Sequence, residues 1–229
     1  MDVANPRTAA LIASKLSIEI VSQEQIWSER YSSIGDEYLF GVAPNHYLAE
    51  HTQRIKDNGH RILLVADGEG RNAVWLAQNG LQVTACDISP VAIAKAKKLA
   101  VTQNVESNFI CADMLCEKFS TNIKQDQFDW VIGVFIQFTN TETRLKQFEI
   151  MKSLTARGGR VLLQGYTPKQ LEYKTGGPPM LENLYTKEIL KNAFSDWEIE
   201  ELLEYELTIK EGIGHHGKSA LIGMIARKT

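Results

Sequence analysis

The chain has 229 residues, 44% hydrophobic and 23% charged, a globular composition and enough length for one large domain or two small ones. Its 25 Lys and Arg against 28 Asp and Glu leave a formal charge of −3. Without a dense basic block to neutralise phosphates, a nucleic-acid partner is not expected. No apolar run approaches the ~18–20 residues that span a bilayer, so no membrane partner is expected either.

Residues 1–16 contain Arg7 and Lys15 but no apolar stretch followed by a small-residue cleavage site, so they do not read as a secretory signal. Across residues 1–58 the pattern is helical. Trp27, Arg30, Tyr31, Tyr38 and Phe40 gather aromatics and a cation there, either as a helix pinned to a core or as a lid whose Arg30 meets a carboxylate through its fork of donors. From residue 61 apolar strand-like runs alternate with amphipathic stretches. The runs are Arg61-Ile-Leu-Leu-Val-Ala66, Leu81-Gln-Val-Thr-Ala-Cys86, Asn108-Phe-Ile-Cys-Ala112, Phe128-Asp-Trp-Val-Ile-Gly-Val134 and Arg160-Val-Leu-Leu-Gln164. Helices are expected near 71–78, 90–101 and 141–155, with Ser89 as an N-cap, Pro90 at the first helical position and Gly158-Gly159 ending the last. Such alternation means a doubly wound α/β fold with a mostly parallel sheet. Residues 197–209 and 218–226 read as two further strands, joined by Glu211-Gly-Ile-Gly-His-His-Gly217 as an antiparallel pair. One domain is expected, with 1–58 as a helical cover and 59–229 as the α/β core. Cys86, Cys111 and Cys116 have no C-x-x-C spacing, so neither a disulfide framework nor a metal site is expected, and the cytoplasm is the expected compartment.

The richest segment is Leu63-Leu-Val-Ala-Asp-Gly-Glu-Gly-Arg-Asn-Ala73, followed by Asp87 at the end of the next strand. Gly68 and Gly70 fit G-x-G-x-x-[GA] between strand and helix, and the acid about 20 residues on suits ribose hydroxyls, which together predict a nucleoside cofactor. A pyrophosphate prefers a bare, positive helix N-terminus, whereas this loop carries Asp67 and Glu69, offset only in part by Arg71. S-adenosylmethionine has no phosphate and carries a sulfonium and an ammonium. No tyrosine has a lysine four residues later, so the pair used by short NAD-dependent dehydrogenases is missing.

Gly68-Glu-Gly-Arg-Asn72 with Asp87-Ile-Ser89 resembles the class I S-adenosylmethionine-dependent methyltransferases, and within them the tellurite-resistance and thiopurine branch. The resemblance covers residues 61–164 and extends to Trp27-Ser-Glu-Arg-Tyr31, to Tyr38-Leu-Phe-Gly-Val-Ala-Pro-Asn45 and to the tail 211–228. It implies a seven-stranded Rossmann-like sheet with the last strand antiparallel, and cofactor over the C-terminal ends of the first strands. The usual D-x-G-x-G-x-G has Leu64 in place of its acid and Ala66 in place of its first glycine, so Asp67 or the N-terminal segment is expected to receive the ammonium. Carried over residue by residue, the cofactor set is Trp27, Arg30, Ala66, Asp67, Gly68, Gly70, Asn72, Asp87, Ile88, Ala112, Asp113, Met114 and Val134, with Asp113 accepting from the adenine amine.

Acceptor-side candidates are Tyr31, Tyr38, Phe135, Tyr166 and His215. Tyr166 ends a strand where ligands of open sheets gather. His215 and His216 are adjacent, so on a strand they point to opposite faces and do not share a metal; a surface turn is the competing reading. Lys174-Thr-Gly-Gly-Pro-Pro-Met180 is a candidate substrate loop. The expected activity is methyl transfer to a small nucleophile (a thiol, a selenium or tellurium oxyanion, a halide or a small amine) by a monomer or homodimer, with no particular catalytic base. The alternatives are an inactive nucleoside-binding regulatory module and, behind it, an NAD-dependent oxidoreductase.

Overall fold

A computed structural model describes residues 22–116, 118, 119, 123 and 127–229; the part of the expected cover before residue 22 lies outside them. The chain opens with α1 (Gln23–Ser32), started by a capping box in which Ser22 and Gln25 satisfy each other's backbone N–H. Short helices α2 (His46–Glu50) and α3 (Thr52–Asp57) lead into β1 (Arg61–Val65), α4 (Arg71–Gln78), β2 (Gln82–Asp87), α5 (Pro90–Thr102) and β3 (Asn108–Cys111). Then come β4 (Phe128–Val134), α6 (Thr141–Leu154), β5 (Thr155–Tyr166), α7 (Gln170–Tyr173), α8 (Lys187–Ala193), β6 (Glu198–Glu211) and β7 (His215–Arg227).

The sheet order is β3-β2-β1-β4-β5-β7-β6. β1 to β5 pair in parallel, and β7 runs antiparallel between β5 and β6. Ile62, Leu63, Leu64 and Val65 are all buried, as expected for a strand covered on both faces. One face packs Leu63, Val131 and Leu163 against Phe148, Met151 and Phe194; the other packs Leu64, Ile132 and Trp130 against Leu48, Leu76 and Leu99. Chain direction across the sheet reverses between β1 and β4, which opens a crevice at their C-terminal ends.

Two expectations need correction. Gly158-Gly159 do not end α6, which stops at Leu154: Thr155 Oγ1 donates to Met151 O at 2.8 Å, satisfying a terminal carbonyl, and strand pairing starts at Thr155. The glycines instead lie inside β5, where Gly158 has φ +76°. The link between the last strands is also shorter than expected, because pairing runs on to Glu211↔His215 and leaves three residues, Gly212, Ile213 and Gly214, in the turn. That turn is pressed onto the N-terminal segment. Gly214 N donates to Leu39 O at 2.9 Å, and a Cβ on Gly212 would sit 2.5 Å from the same carbonyl.

Candidate functional site

The crevice holds a cavity that opens to solvent, concave and largely apolar as small-molecule sites usually are. It is built from strand ends. β1 supplies Leu64 and Val65 and passes into Ala66, Asp67 and Gly68; β2 delivers Asp87 and then Ile88. The residues after β3 add Ala112, Asp113, Met114 and Leu115, and β4 adds Ile132, Val134, Phe135 and Phe138 at and beyond its end. Gln23, Trp27, Tyr31 and Phe40 close it from the N-terminal side, with His215 from the head of β7.

The glycine loop is held by its own acids. Asp67 is half-buried, accepting from Asn72 Nδ2 at 3.2 Å and from Ala73 N at 3.3 Å. It thereby caps α4, whose N-cap Gly70 has no side chain to do so. Burial raises its pKa to about 7, against the lowering effect of those donors and of Arg71. Asp87 is buried, accepting from Gly68 N and Ser89 N at 2.9 Å each. Its pKa is raised chiefly by burial. Asp87 clasps the turn and also lines the cavity, and each carboxylate oxygen retains a second lone pair for a ligand.

Ala66 stands where a glycine is customary, and its φ is +50°. The left-handed turn is made regardless, at roughly 1–2 kcal/mol of strain for a residue with a Cβ. Gly68, at φ +62°, has no room for a Cβ, which would lie 2.8 Å from the Tyr31 hydroxyl. Glu69 and Arg71 do not supply the loop charge foreseen for them. Glu69 turns away, accepting from Leu39 N at 2.7 Å and pairing with Lys95 at 3.0 Å. Arg71 is committed to Glu211 in a buried ion pair. The acids facing the cavity are Asp67, Asp87 and Asp113, the last exposed and holding Leu115 N at 2.8 Å.

The described part of the N-terminal segment is docked on the loop. Lys95 Nζ donates to Tyr31 O and Glu37 O at 2.7 Å, and Ser28 Oγ meets Ser89 Oγ at 2.8 Å. Trp27 stacks on Tyr31 with centroids 5.8 Å apart.

Four of the residues expected at the site do not line the cavity. Arg30 is exposed with its guanidinium 4.4 Å over the Trp27 ring, and among the described residues no carboxylate pairs with it. Tyr38 points its hydroxyl at Lys95 O, 3.3 Å away. Gly70 is packed under the loop, where a Cβ would lie 2.6 Å from Ala96 Cβ. Tyr166 is buried one layer back, stacked on Phe135 at 4.6 Å.

Two of the acceptor-side candidates, His215 and Phe135, lie at the cavity wall. His215 is buried, so it is not in a surface turn; it lies among the rings of Phe40 (4.5 Å), Phe135 (4.2 Å) and Tyr166 (5.7 Å). Burial, with Arg71 and Arg30 nearby, holds its pKa down at about 3, so the imidazole is neutral. Phe135 itself sits at φ +56°, a strained conformation of the kind that gathers at functional sites. Leu115, Phe138 and Gln23 also join the wall, brought there by chain paths that no motif announces. Among the described residues no cluster of His, Cys, Asp and Glu could hold a metal ion, and no helix is long and apolar enough to cross a membrane.

Residues 62–159 match the methyltransferase-domain family. Among curated proteins, an uncharacterized protein of Mycobacterium tuberculosis and its counterpart in Mycobacterium bovis are each 26% identical over 150 residues, 65% of this chain and 51% of theirs. The chain thus spans about half the length of the curated relatives it matches. Among solved structures, TehB from Haemophilus influenzae superposes with a TM-score of 0.63 at 22% identity, over 89% of this chain and 67% of that one. A structure described for the conversion of a disulfide bond into a thioacetal group during echinomycin biosynthesis gives 0.74 at 17%, over 90% and 92%. Magnesium protoporphyrin IX methyltransferase from Synechocystis PCC 6803 with bound S-adenosylhomocysteine gives 0.61 at 17%, over 89% and 98%.

Proposed function

We propose that the chain, whose residues 62–159 match the methyltransferase-domain family, is a class I S-adenosylmethionine-dependent methyltransferase that methylates a small nucleophile within one domain, residues 1–58 covering the core 59–229. One observation carries the reading: three carboxylates, Asp67, Asp87 and Asp113, face a largely apolar cavity at the ends of successive strands.

Those residues fit S-adenosylmethionine in chemistry and order. Asp113, beside Ala112, Met114 and Ile88, would accept from the adenine amine in an apolar slot. Asp87, with its remaining lone pairs, would accept from the ribose hydroxyls. Asp67 would receive the ammonium, beside Gly68 and the Tyr31 hydroxyl seated against it. When bound, the cofactor supplies a methyl carbon on a sulfonium, ready for in-line displacement. The chain's part is then to orient and desolvate: Val134 and Phe135 at the end of β4, with Trp27, Tyr31 and Phe40 opposite, exclude water and hold the acceptor against the methyl group.

S-adenosylhomocysteine, but not NAD, should raise the melting temperature. A screen of thiols, selenite, tellurite, halides and small amines, read as S-adenosylhomocysteine formed, should then find turnover. Equal stabilisation by NAD refutes the cofactor assignment. Binding with no turnover of any acceptor makes the protein a nucleoside-binding module instead.

A further inference from the structure

Glu211 ends β6 and is buried. It is held from three directions, by the Arg71 guanidinium, by Asn45 Nδ2 at 3.1 Å and by His46 N at 3.3 Å. Across the hairpin turn His215 Nδ1 lies 4.0 Å from Glu211 Oε2, buried and with no hydrogen-bond partner. The ring of His215 also lines the cavity against Phe135, the residue just past the end of β4. A fixed carboxylate 4.0 Å behind a histidine whose ring lines the pocket is placed to favour a proton on the near nitrogen and to stabilise the cation the ring becomes.

We propose that His215 is the general base of the reaction, with Glu211 as its positioning residue, and that the acceptor is therefore a thiol or hydroxyl that carries its own proton. This rests on the methyltransferase reading above. As the acceptor's lone pair bonds to the methyl carbon, the carbon–sulfur electron pair returns to the departing thioether. The proton left on the acceptor passes to Nε2 of His215. Nδ1–H then faces Glu211, and the proton leaves to solvent when the product does.

The environment of His215 narrows the acceptor class. Besides Glu211 on β6, the charged and titratable groups facing it are Arg71 on α4, Arg30 on α1 and the raised phenol of Tyr166 on β5. The two arginines, together with burial, keep the free ring a weak base near 3. A protonated thioether or ether is a far stronger acid than such an imidazolium and gives up its proton to it. A methylated ammonium is a weaker acid and does not. Thiols and hydroxyls need a base at this position, whereas a neutral amine, a halide or an oxyanion attacks without one.

The test uses the full chain at saturating S-adenosylmethionine with 2-mercaptoethanol as probe. The wild type should methylate it at a rate independent of pH between 6 and 8. His215→Gln, which keeps the volume and polarity, should lose about 100-fold at pH 6.5, within the range for a lost general base. Its rate should climb tenfold per pH unit, because only thiolate formed in solution then reacts. A merely structural role lowers the rate equally at every pH. Independently of turnover, imidazole ¹⁵N shifts in the S-adenosylhomocysteine complex should report a neutral His215 protonated at Nδ1.

An Nε2–H tautomer, or His215→Gln with wild-type rate and slope, overturns the proposal. So does wild-type turnover of amines in preference to thiols and phenols. If S-adenosylhomocysteine binds by calorimetry while none of these acceptors reacts, the base assignment falls and the cofactor assignment stands. If it does not bind, the methyltransferase reading falls first.

Discussion

Replacing Asp87 by Asn tests whether one side chain both builds the cofactor loop and binds the ligand. Its two oxygens accept from Gly68 N and Ser89 N, each at 2.9 Å, in a site where the residue is 6% exposed. Asn is nearly isosteric but offers one acceptor, so its NH₂ must face one of the two backbone donors. The loss of one charge-assisted hydrogen bond is worth about 1.5–3 kcal/mol. At about 2–4 °C per kcal/mol for a chain of this size, the melting temperature should fall by roughly 3–12 °C. The ribose hydroxyls would lose a charged acceptor as well. S-adenosylhomocysteine affinity should therefore drop a further ten- to 150-fold, roughly 1.5–3 kcal/mol. Calorimetric titration and thermal denaturation on one preparation separate the two effects. A lower melting temperature with unchanged affinity would leave Asp87 a structural clasp alone, and no change in either would refute the hydrogen-bond reading of the loop.

Asp67, with its pKa raised by burial to about 7, gives a pH test. The free protein holds the proton more tightly than the unfolded chain does, so this group's stabilisation is complete below the unfolded value of 3.8 and lost as pH rises to about 7. An ammonium ligand needs the ionised form, so S-adenosylhomocysteine affinity should weaken up to tenfold per pH unit below 7, with proton release measurable by calorimetry in buffers of different ionisation enthalpy; Asp67→Asn should flatten the profile. Trp27→Ala should weaken that affinity about ten- to 100-fold, roughly 1.4–2.8 kcal/mol, with little change in melting temperature, since Trp27 is only half-buried. Arg30→Ala should act in the same direction but less, because it reaches the cavity only through the Trp27 ring; a larger effect than Trp27→Ala would show a direct contact. Gly70→Ala and Gly80→Ala form a matched pair, since both residues have φ +84° but a Cβ meets Ala96 at 2.6 Å in the first and open space in the second. Gly80→Ala should cost about 1–2 kcal/mol and Gly70→Ala about 1–3 more, measured by urea denaturation; equal losses would refute the packing argument.

Local chemistry carried most of the fold into the sequence. Runs such as Ile62-Leu-Leu-Val65 are apolar at every position because the parallel strand they form is covered on both faces, and Ser89-Pro90 starts a helix through a side-chain acceptor and a fixed φ. Both signals are short-range, so the chain displays them without its partners. The glycine loop and the acid of β2 were legible for the same reason, being consecutive along one strand–helix–strand path. The left-handed turn at Ala66 was not, because nothing about an alanine announces a positive φ. Charge placement was not legible either. Glu69 and Arg71 lie in the loop's own sequence, yet their partners, Lys95 and Glu211, stand 26 and 140 positions away; the first turns Glu69 from the cavity and the second pairs with Arg71 at its wall. His215 could be named as a candidate, but only pairing with Glu211 and the seat of Gly212 and Gly214 against residues 39–41 decide between the pocket and a surface turn. Burial and electrostatic partnership are properties of through-space neighbours, and only the assembled sheet supplies them.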